Sequence, residues 1–141
     1  YAIAANPEIR RCVQAITNGV FFSPNVFGLT ATNTAILDGE KWHNELIQYL
    51  NANLELVYTE INKLAGFYML KPEATYLAWI DGREFVAKHG IPDLFKFFEQ
   101  HGVGLSDGGD FGSVGFVRLN YATTRANLNE ALARMKVAVN I

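Results

Sequence analysis

A strand with one embedded charge is predicted by residues 115–125, which read Gly-Phe-Val-Arg-Leu-Asn-Tyr-Ala-Thr-Thr-Arg. Successive residues of a strand point to opposite faces of a sheet. One face is therefore apolar and the other carries an arginine; the two sets are Val117, Leu119 and Tyr121, and Phe116, Arg118 and Asn120. An arginine beside an aromatic ring on a half-buried face needs an acceptor for its planar donors, and a carboxylate matches them. That carboxylate belongs either to an internal Asp or Glu or to a ligand.

The elements around this strand predict a small α+β unit. After it, Thr123 or Thr124 caps an amphipathic helix whose apolar side is Leu128, Leu132, Met135 and Val139. Before it, residues 67–70, 75–81 and 103–105 predict strands, Pro92 opens a helix to about His101, and residues 106–112 form a Gly- and Asp-rich loop. Strands separated by helices in this order indicate a small, mainly antiparallel sheet with helices on one face.

The N-terminal half is predicted to be helical. Asn6 and Pro7 begin a helix to about Asn18, Ser23-Pro24 begins a second over residues 25–37, and a third runs from Glu40 to about Ala65. The third helix would be about 40 Å long, longer than a domain of this size is wide, so we expect it to bridge two bodies. We place residues 1–50 with a larger domain and residues 51–141 in the small unit.

The first residues, Tyr1 to Ala5, are strand-like and lack an initiator methionine. Because a buried strand needs neighbours on both sides, we expect the sequence to be a fragment whose upstream part is missing.

Composition excludes several classes of function. The 141 residues carry a formal net charge of −2 and no Lys/Arg cluster, so the sequence predicts neither a nucleic-acid nor a membrane partner. A single cysteine, Cys12, cannot form an internal disulfide. No apolar run reaches membrane-spanning length and no secretory signal is present, so we predict a cytoplasmic protein.

The other candidate groups do not form a site. His43, His89 and His101 lack the spacing of a zinc site, and Asp107 and Asp110 lack the pattern of a calcium loop. The run Gly108–Gly112 leads into a strand and not into a helix N-terminus, so it does not predict a phosphate loop. No metal site is predicted. Arg118 is the one residue for which the sequence supports a specific functional hypothesis.

Three stretches, in this order, resemble the class I/II aminotransferase-like enzymes that use pyridoxal phosphate (PLP), and within them the cystathionine β-lyase (C–S lyase) branch. They are residues 23–35 with 38–42, residues 71–81, and residues 115–125, and the likeness runs from Tyr1 to about Val139. The resemblance implies a fragment of the α/β, fold type I PLP-dependent transferase-like fold. Residues 1–50 would be the remnant of the large PLP-binding domain with the first half of the connecting helix, and residues 51–141 the C-terminal small domain.

The resemblance also implies the site. Arg118 corresponds to the arginine that binds the α-carboxylate of the amino-acid substrate. The lysine that holds PLP and the phosphate ligands lie upstream of the match, so we expect no catalytic and no cofactor-binding residue in this chain; the lysines outside the family motif are Lys41, Lys63, Lys71, Lys88, Lys96 and Lys136. The loop Ser23–Gly28 resembles a segment at a homodimer interface near the partner's active site. Asn25 is therefore a second substrate-binding candidate, and a helix-start role is its alternative.

The function implied for the intact enzyme is β-elimination from cystathionine or a related cysteine S-conjugate, giving a thiol, pyruvate and ammonia. An amino-acid aminotransferase would use the same arginine and is the alternative. A non-catalytic, stand-alone binding domain is the alternative of another class. The chain by itself is expected to be inactive, and the intact enzyme a homodimer.

Overall fold

The computed structural model describes residues 3–19 and 24–140. The helices are α1 (Pro7–Thr17), α2 (Val26–Asp38), α3 (Glu40–Ile61), α4 (Arg83–His89), α5 (Leu94–Gln100) and α6 (Arg125–Ala138). The strands are β1 (Tyr68–Met69), β2 (Leu77–Asp81), β3 (Ser106–Asp107) and β4 (Phe116–Asn120), with a 3₁₀ turn at Gly109–Phe111. The chain forms two compact units, Tyr1–Trp42 and His43–Ile141.

The first unit contains α1 and α2, and asparagines begin both helices. Asn6 Oδ1 accepts a hydrogen bond from the Glu8 amide at 2.8 Å, and Asn25 Oδ1 accepts one from the Gly28 amide at 2.8 Å. These side chains satisfy amides that have no partner inside the helix. The predicted helix from Pro7 is confirmed.

Two predictions for the N-terminal part of the chain have different outcomes. The predicted cap at Ser23 lies outside the described residues, and α2 begins after Asn25. Residues 3–5, the described part of the predicted N-terminal strand, are not in a strand, since no strand within residues 3–19 and 24–140 pairs with them.

The second unit contains a four-stranded sheet in the order β1-β2-β4-β3, and every neighbouring pair is antiparallel. In the central pair, Trp79 lies opposite Arg118 and Ile80 opposite Val117. On the outer side of β4, Ser106 lies opposite Arg118. The small antiparallel sheet predicted from the sequence is confirmed.

One face of this sheet packs on the helices. Its residues alternate with those of the other face, and Ala78, Ile80 and Val117 are fully buried. They share one core with buried residues of α3, α4, α5 and α6; these are Leu54, Val57, Ile61, Phe85, Leu94, Phe98, Leu128, Leu132, Met135 and Ala138. Burial of each large apolar side chain stabilises the fold by about 1.5–3 kcal/mol. Leu77, Trp79, Phe116 and Arg118 point to the opposite face, which we call the open face.

The short strand predicted at residues 103–105 is wrong, because the strand forms at Ser106–Asp107. Val103 is buried, and its amide donates to Phe98 O at 3.0 Å, which closes the end of α5. The amide is thus unavailable for pairing with β4. The loop predicted at residues 106–112 accordingly contains β3 and the 3₁₀ turn.

The third helix ends earlier than the predicted Ala65. Beyond Ile61 the chain tightens, with the Leu64 amide donating to Ile61 O at 3.0 Å, and Gly66 then adopts a φ of +81°. The helix spans 22 residues, or about 33 Å. The two compact units divide between Trp42 and His43, within α3. The assignment of residues 1–50 and 51–141 to a large and a small domain stays a prediction.

The connection between β4 and α6 is fixed from α3. The side chain of Asn53 is fully buried, and its Nδ2 donates to Tyr121 O at 2.8 Å and to Thr123 O at 3.1 Å. The Arg125 amide donates to Tyr49 Oη at 2.7 Å. Thr124 Oγ1 accepts from the Asn127 amide at 3.3 Å, which confirms the predicted cap of the last helix.

Among the described helices, none has the combined length and apolar character needed to cross a membrane.

Candidate substrate-binding site

Arg118 lies in the middle of the open face of the sheet. It belongs to β4, and its neighbours across the two ladders are Trp79 of β2 and Ser106 of β3. Because β4 is paired on both sides, its backbone is fixed, and so is the Cα position from which the Arg118 side chain extends. The side chain itself is half-buried.

The guanidinium of Arg118 has two neutral partners. Its Nη2 donates to Ser106 Oγ at 3.2 Å, and its Cζ lies 4.4 Å from the centroid of the Phe111 ring. Within residues 3–19 and 24–140, no carboxylate oxygen lies within the 4.0 Å of a salt bridge with Arg118. The described part of the chain therefore does not contain the internal Asp or Glu partner that the sequence left open.

A row of three aromatic rings extends along the open face beside Arg118. Phe111 meets Trp79 edge-on at 5.8 Å, and Trp79 stacks on Phe116 at 5.5 Å. At the far end of this aromatic row, Arg83 lies 4.8 Å from the Phe116 ring. Each end of the row thus carries an arginine stacked on a phenylalanine.

The two arginines of the row differ in their charge partners. Arg83 forms a two-pronged pair with Asp81, with Nη2–Oδ2 at 2.7 Å and Nε–Oδ1 at 3.0 Å. The hydrogen bonds from Arg83 hold the pKa of the Asp81 carboxyl below its ordinary value. Arg83 is therefore neutralised within the fold, whereas Arg118 keeps donors for an acceptor from outside the described residues.

The loop between β3 and β4 places Phe111 over the arginine. Asp107 Oδ1 accepts from the Gly109 amide at 2.9 Å, and the Gly108 amide donates to Phe116 O at 2.9 Å. A Cβ atom on Gly108 would lie 2.5 Å from the carbonyl oxygens of Phe116 and Ser113, so only glycine fits without a shift. The loop is thus fixed to the strand that carries Arg118.

Sequence reasoning missed Ser106 and Phe111. The prediction places both in the Gly- and Asp-rich loop of residues 106–112 and gives neither a role beside Arg118. The signal that could have found Ser106 is strand pairing, because β3 and β4 are joined by a short loop and Ser106 falls opposite Arg118 once they pair. Phe111 had a weaker signal, a large apolar residue within a run of glycines and aspartates.

Asn25 lies in the first unit, where its side-chain oxygen caps α2. The alternative role of Asn25, capping the start of a helix, is therefore present in the structure. Its role in substrate binding is untested and stays a prediction.

The lysines of this chain lie on its surface. Every lysine is exposed, and three pair with carboxylates, namely Lys63 with Glu60, Lys71 with Glu55 and Lys96 with Asp93. That none of them holds PLP stays a prediction. The histidines are also dispersed, and no group of His, Cys, Asp and Glu suited to a metal ion occurs within residues 3–19 and 24–140.

The fold of this chain is shared with known proteins. The model of the aminotransferase class I and II family matches residues 1–135, and the chain belongs to this family. The family comprises PLP-dependent lyases and aminotransferases. The resemblance read from the sequence is confirmed.

Individual relatives agree with this membership. The chain is similar to cystathionine beta-lyase PatB of Bacillus subtilis, with 32% identity over 82% of this chain and 30% of that protein. The crystal structure of OvoB superposes with a TM-score of 0.92 at 36% identity, covering 98% of this chain and 35% of that one. The PLP-bound C-S lyase of Staphylococcus hominis gives a TM-score of 0.86 at 27% identity, covering 97% and 36%. The chain thus spans about a third of the length of these relatives.

Proposed function

We propose that this chain is the C-terminal part of a PLP-dependent C–S β-lyase. The intact enzyme acts on cystathionine or a related cysteine S-conjugate and releases a thiol, pyruvate and ammonia. The similarity to a cystathionine beta-lyase and to a C-S lyase supports this reaction class. The observation that carries the residue-level part is Arg118, a half-buried arginine on the open face with no carboxylate partner among the described residues.

In this proposal Arg118 binds the α-carboxylate of the substrate. Its guanidinium presents parallel N–H donors to the carboxylate oxygens, and such charge-assisted pairs are stronger and more directional than neutral hydrogen bonds. Arg118 thereby binds and orients the amino acid. In the same proposal, the residues that hold the cofactor belong to the rest of the intact enzyme.

An amino-acid aminotransferase is the second candidate. The family includes aminotransferases by its own description, and such an enzyme needs a carboxylate-binding arginine equally. Arg118 therefore supports both reactions. The choice between them depends on groups near the cofactor.

The products separate the two candidates. The intact enzyme is incubated with PLP and cystathionine, with and without 2-oxoglutarate, and pyruvate, free thiol and glutamate are measured. A lyase releases pyruvate and thiol in equal amounts without an oxo-acid. Formation of glutamate only with 2-oxoglutarate, without thiol release, would establish the aminotransferase and reject the lyase.

The remaining parts of the proposal concern assembly and location. We place the intact enzyme in the cytoplasm as a homodimer, with Asn25 near the substrate site of the partner. Sedimentation of the intact enzyme gives its subunit number. Substitution Asn25→Ser, which keeps a capping side chain, should raise KM if Asn25 also contacts the substrate.

A further inference from the structure

Two contacts hold the Arg118 guanidinium, and the described residues supply no acceptor for its remaining N–H groups. Its Cζ lies over the Phe111 ring, 4.4 Å from the centroid, and Ser106 Oγ accepts one N–H at 3.2 Å. A ring attracts a guanidinium through its face, whereas a carboxylate pairs with the N–H groups along the edge of the fork. Stacking on Phe111 and binding of a carboxylate are therefore compatible.

The position of Phe111 is itself determined by the loop. The ring is at the end of the Gly109–Phe111 turn, which is anchored by the Asp107 side chain and by the pairing of Gly108 with β4. Trp79 contacts the ring edge-on from the neighbouring strand. The ring is thus held relative to the strand that carries Arg118.

The exposure of Phe111 separates this role from a role in the core. The residue is 51% exposed, and it is not among the buried residues of the core. Phe111 therefore does not fill the core. Its contacts on the open face are with the Arg118 guanidinium and with the edge-on Trp79 ring.

We propose that Phe111, together with Ser106, is a positioning residue that orients the Arg118 guanidinium so that its free edge meets the substrate carboxylate. The inference rests on the proposed function of Arg118. Phe111 does not touch the reacting atoms. It restricts the arginine to one orientation before the substrate arrives, which reduces the ordering cost of binding.

The test uses the intact enzyme with PLP and the variants Phe111→Leu, Phe111→Tyr and Ser106→Ala. Leucine keeps an apolar side chain and removes the aromatic face, while tyrosine keeps the face. The matched control is Tyr68→Leu, which removes another exposed aromatic ring of the same sheet. Values of kcat/KM are measured for a cysteine S-conjugate and for the same compound with its α-carboxylate replaced by a carboxamide.

We expect Phe111→Leu to lower kcat/KM about threefold to thirtyfold for the carboxylate substrate, with less than about a twofold change for the carboxamide. The loss should appear mainly in KM, and weak inhibition by propionate, a simple carboxylate, should weaken in parallel. Ser106→Ala should act in the same direction, whereas Phe111→Tyr and Tyr68→Leu should stay close to the wild type.

The possible failures are distinguishable. Equal losses for both substrates in Phe111→Leu, together with a lowered melting temperature, would make Phe111 a structural residue and overturn the inference alone. If Phe111→Leu changes neither substrate while Arg118→Ala selectively impairs the carboxylate substrate, the inference also fails and the proposed function stands. If the wild-type enzyme uses both substrates equally well, both fail. Should Phe111→Leu not fold, Ser106→Ala decides by the same comparison.

Discussion

The two arginines of the open face differ in their charge partners. The guanidinium carbons of Arg83 and Arg118 lie over phenylalanine rings at the two ends of the aromatic row. Arg83 holds the Asp81 carboxylate, whereas the hydrogen-bond partner of the Arg118 guanidinium within residues 3–19 and 24–140 is the hydroxyl of Ser106. A half-buried arginine whose donors lack a carboxylate in the fold is suited to bind one from a ligand.

Replacing Arg118 should therefore impair the intact enzyme selectively. Two charge-assisted hydrogen bonds of about 1.5–3 kcal/mol each would be lost in Arg118→Ala, so we expect a cost of about 3–5 kcal/mol in transition-state binding. This equals about two to four decades in kcat/KM for a substrate with an α-carboxylate. Arg118→Lys should restore little, because a point charge does not reproduce the planar fork.

The matched control for this prediction is Arg83→Ala. It removes an arginine from the same face, along with an exposed ion pair that contributes little to stability. We expect a small loss of stability and nearly unchanged kcat/KM. Equal losses from Arg118→Ala on substrates with and without the carboxylate, accompanied by a lower melting temperature, would make Arg118 a structural residue.

At the scale of elements, α3 holds the junction between β4 and the last helix. Asn53 donates to two carbonyls at this junction from a fully buried position. We expect Asn53→Ala to lower the free energy of unfolding by about 2–3 kcal/mol, because buried carbonyls lose their donor. Tyr49→Phe removes a half-exposed hydroxyl at the same junction and should cost about 1 kcal/mol. Denaturant midpoints of the two variants provide the comparison, and equal effects would contradict the role of Asn53.

The loop between β3 and β4 gives a second prediction at this scale. Gly108→Ala forces a Cβ to within 2.5 Å of two carbonyl oxygens, so the loop must shift. We expect a destabilisation of about 1–3 kcal/mol and a loss of carboxylate selectivity as Phe111 moves. Gly104→Ala is the control, since its added Cβ meets nothing within 4 Å. Thermal unfolding of both variants tests the difference, and a neutral Gly108→Ala would show that the loop adapts freely.

The elements also show what could be predicted from the sequence. The period-two pattern of β4 and the caps at Asn6 and Thr124 are local signals, and each identified its element correctly. β3 is two residues long, and it forms because β4 offers it a pairing edge, so its own residues carry little signal. The apolar residue Val103 favours a strand at residues 103–105 in the sequence, but in the structure its amide hydrogen-bonds to Phe98 O at the end of α5. For the same reason Arg118 was identified and its partners were not, since they come from pairing and loop geometry.

At the scale of the whole molecule, the first unit exposes an unusual amount of apolar side chain. On α1 and α2, most large hydrophobic residues are more exposed than buried; these are Ile9, Ile16, Val26, Phe27, Leu29, Ile36 and Leu37. Apolar patches beyond a few hundred Å² usually mark interfaces. We expect the 141-residue chain to associate in light scattering, and Phe27→Ser with Ile36→Ser to reduce this association. A strictly monomeric wild-type chain would contradict the expectation.

The chain by itself should neither bind PLP stably nor turn over an amino acid. Its lysines are exposed, and three of them, Lys63, Lys71 and Lys96, pair with carboxylates. A lasting Schiff base needs a site that holds and orients the cofactor beside the amine, and we expect that site in the rest of the intact enzyme. The purified chain is mixed with PLP and its visible spectrum is recorded before and after gel filtration, with N-acetyl-lysine at matched amine concentration as the control. We expect the two samples to behave alike and no cofactor absorbance to remain with the protein. A band that persists through gel filtration, disappears with borohydride and maps to one lysine would show that this chain holds the cofactor, and the upstream location of the PLP site would then be wrong.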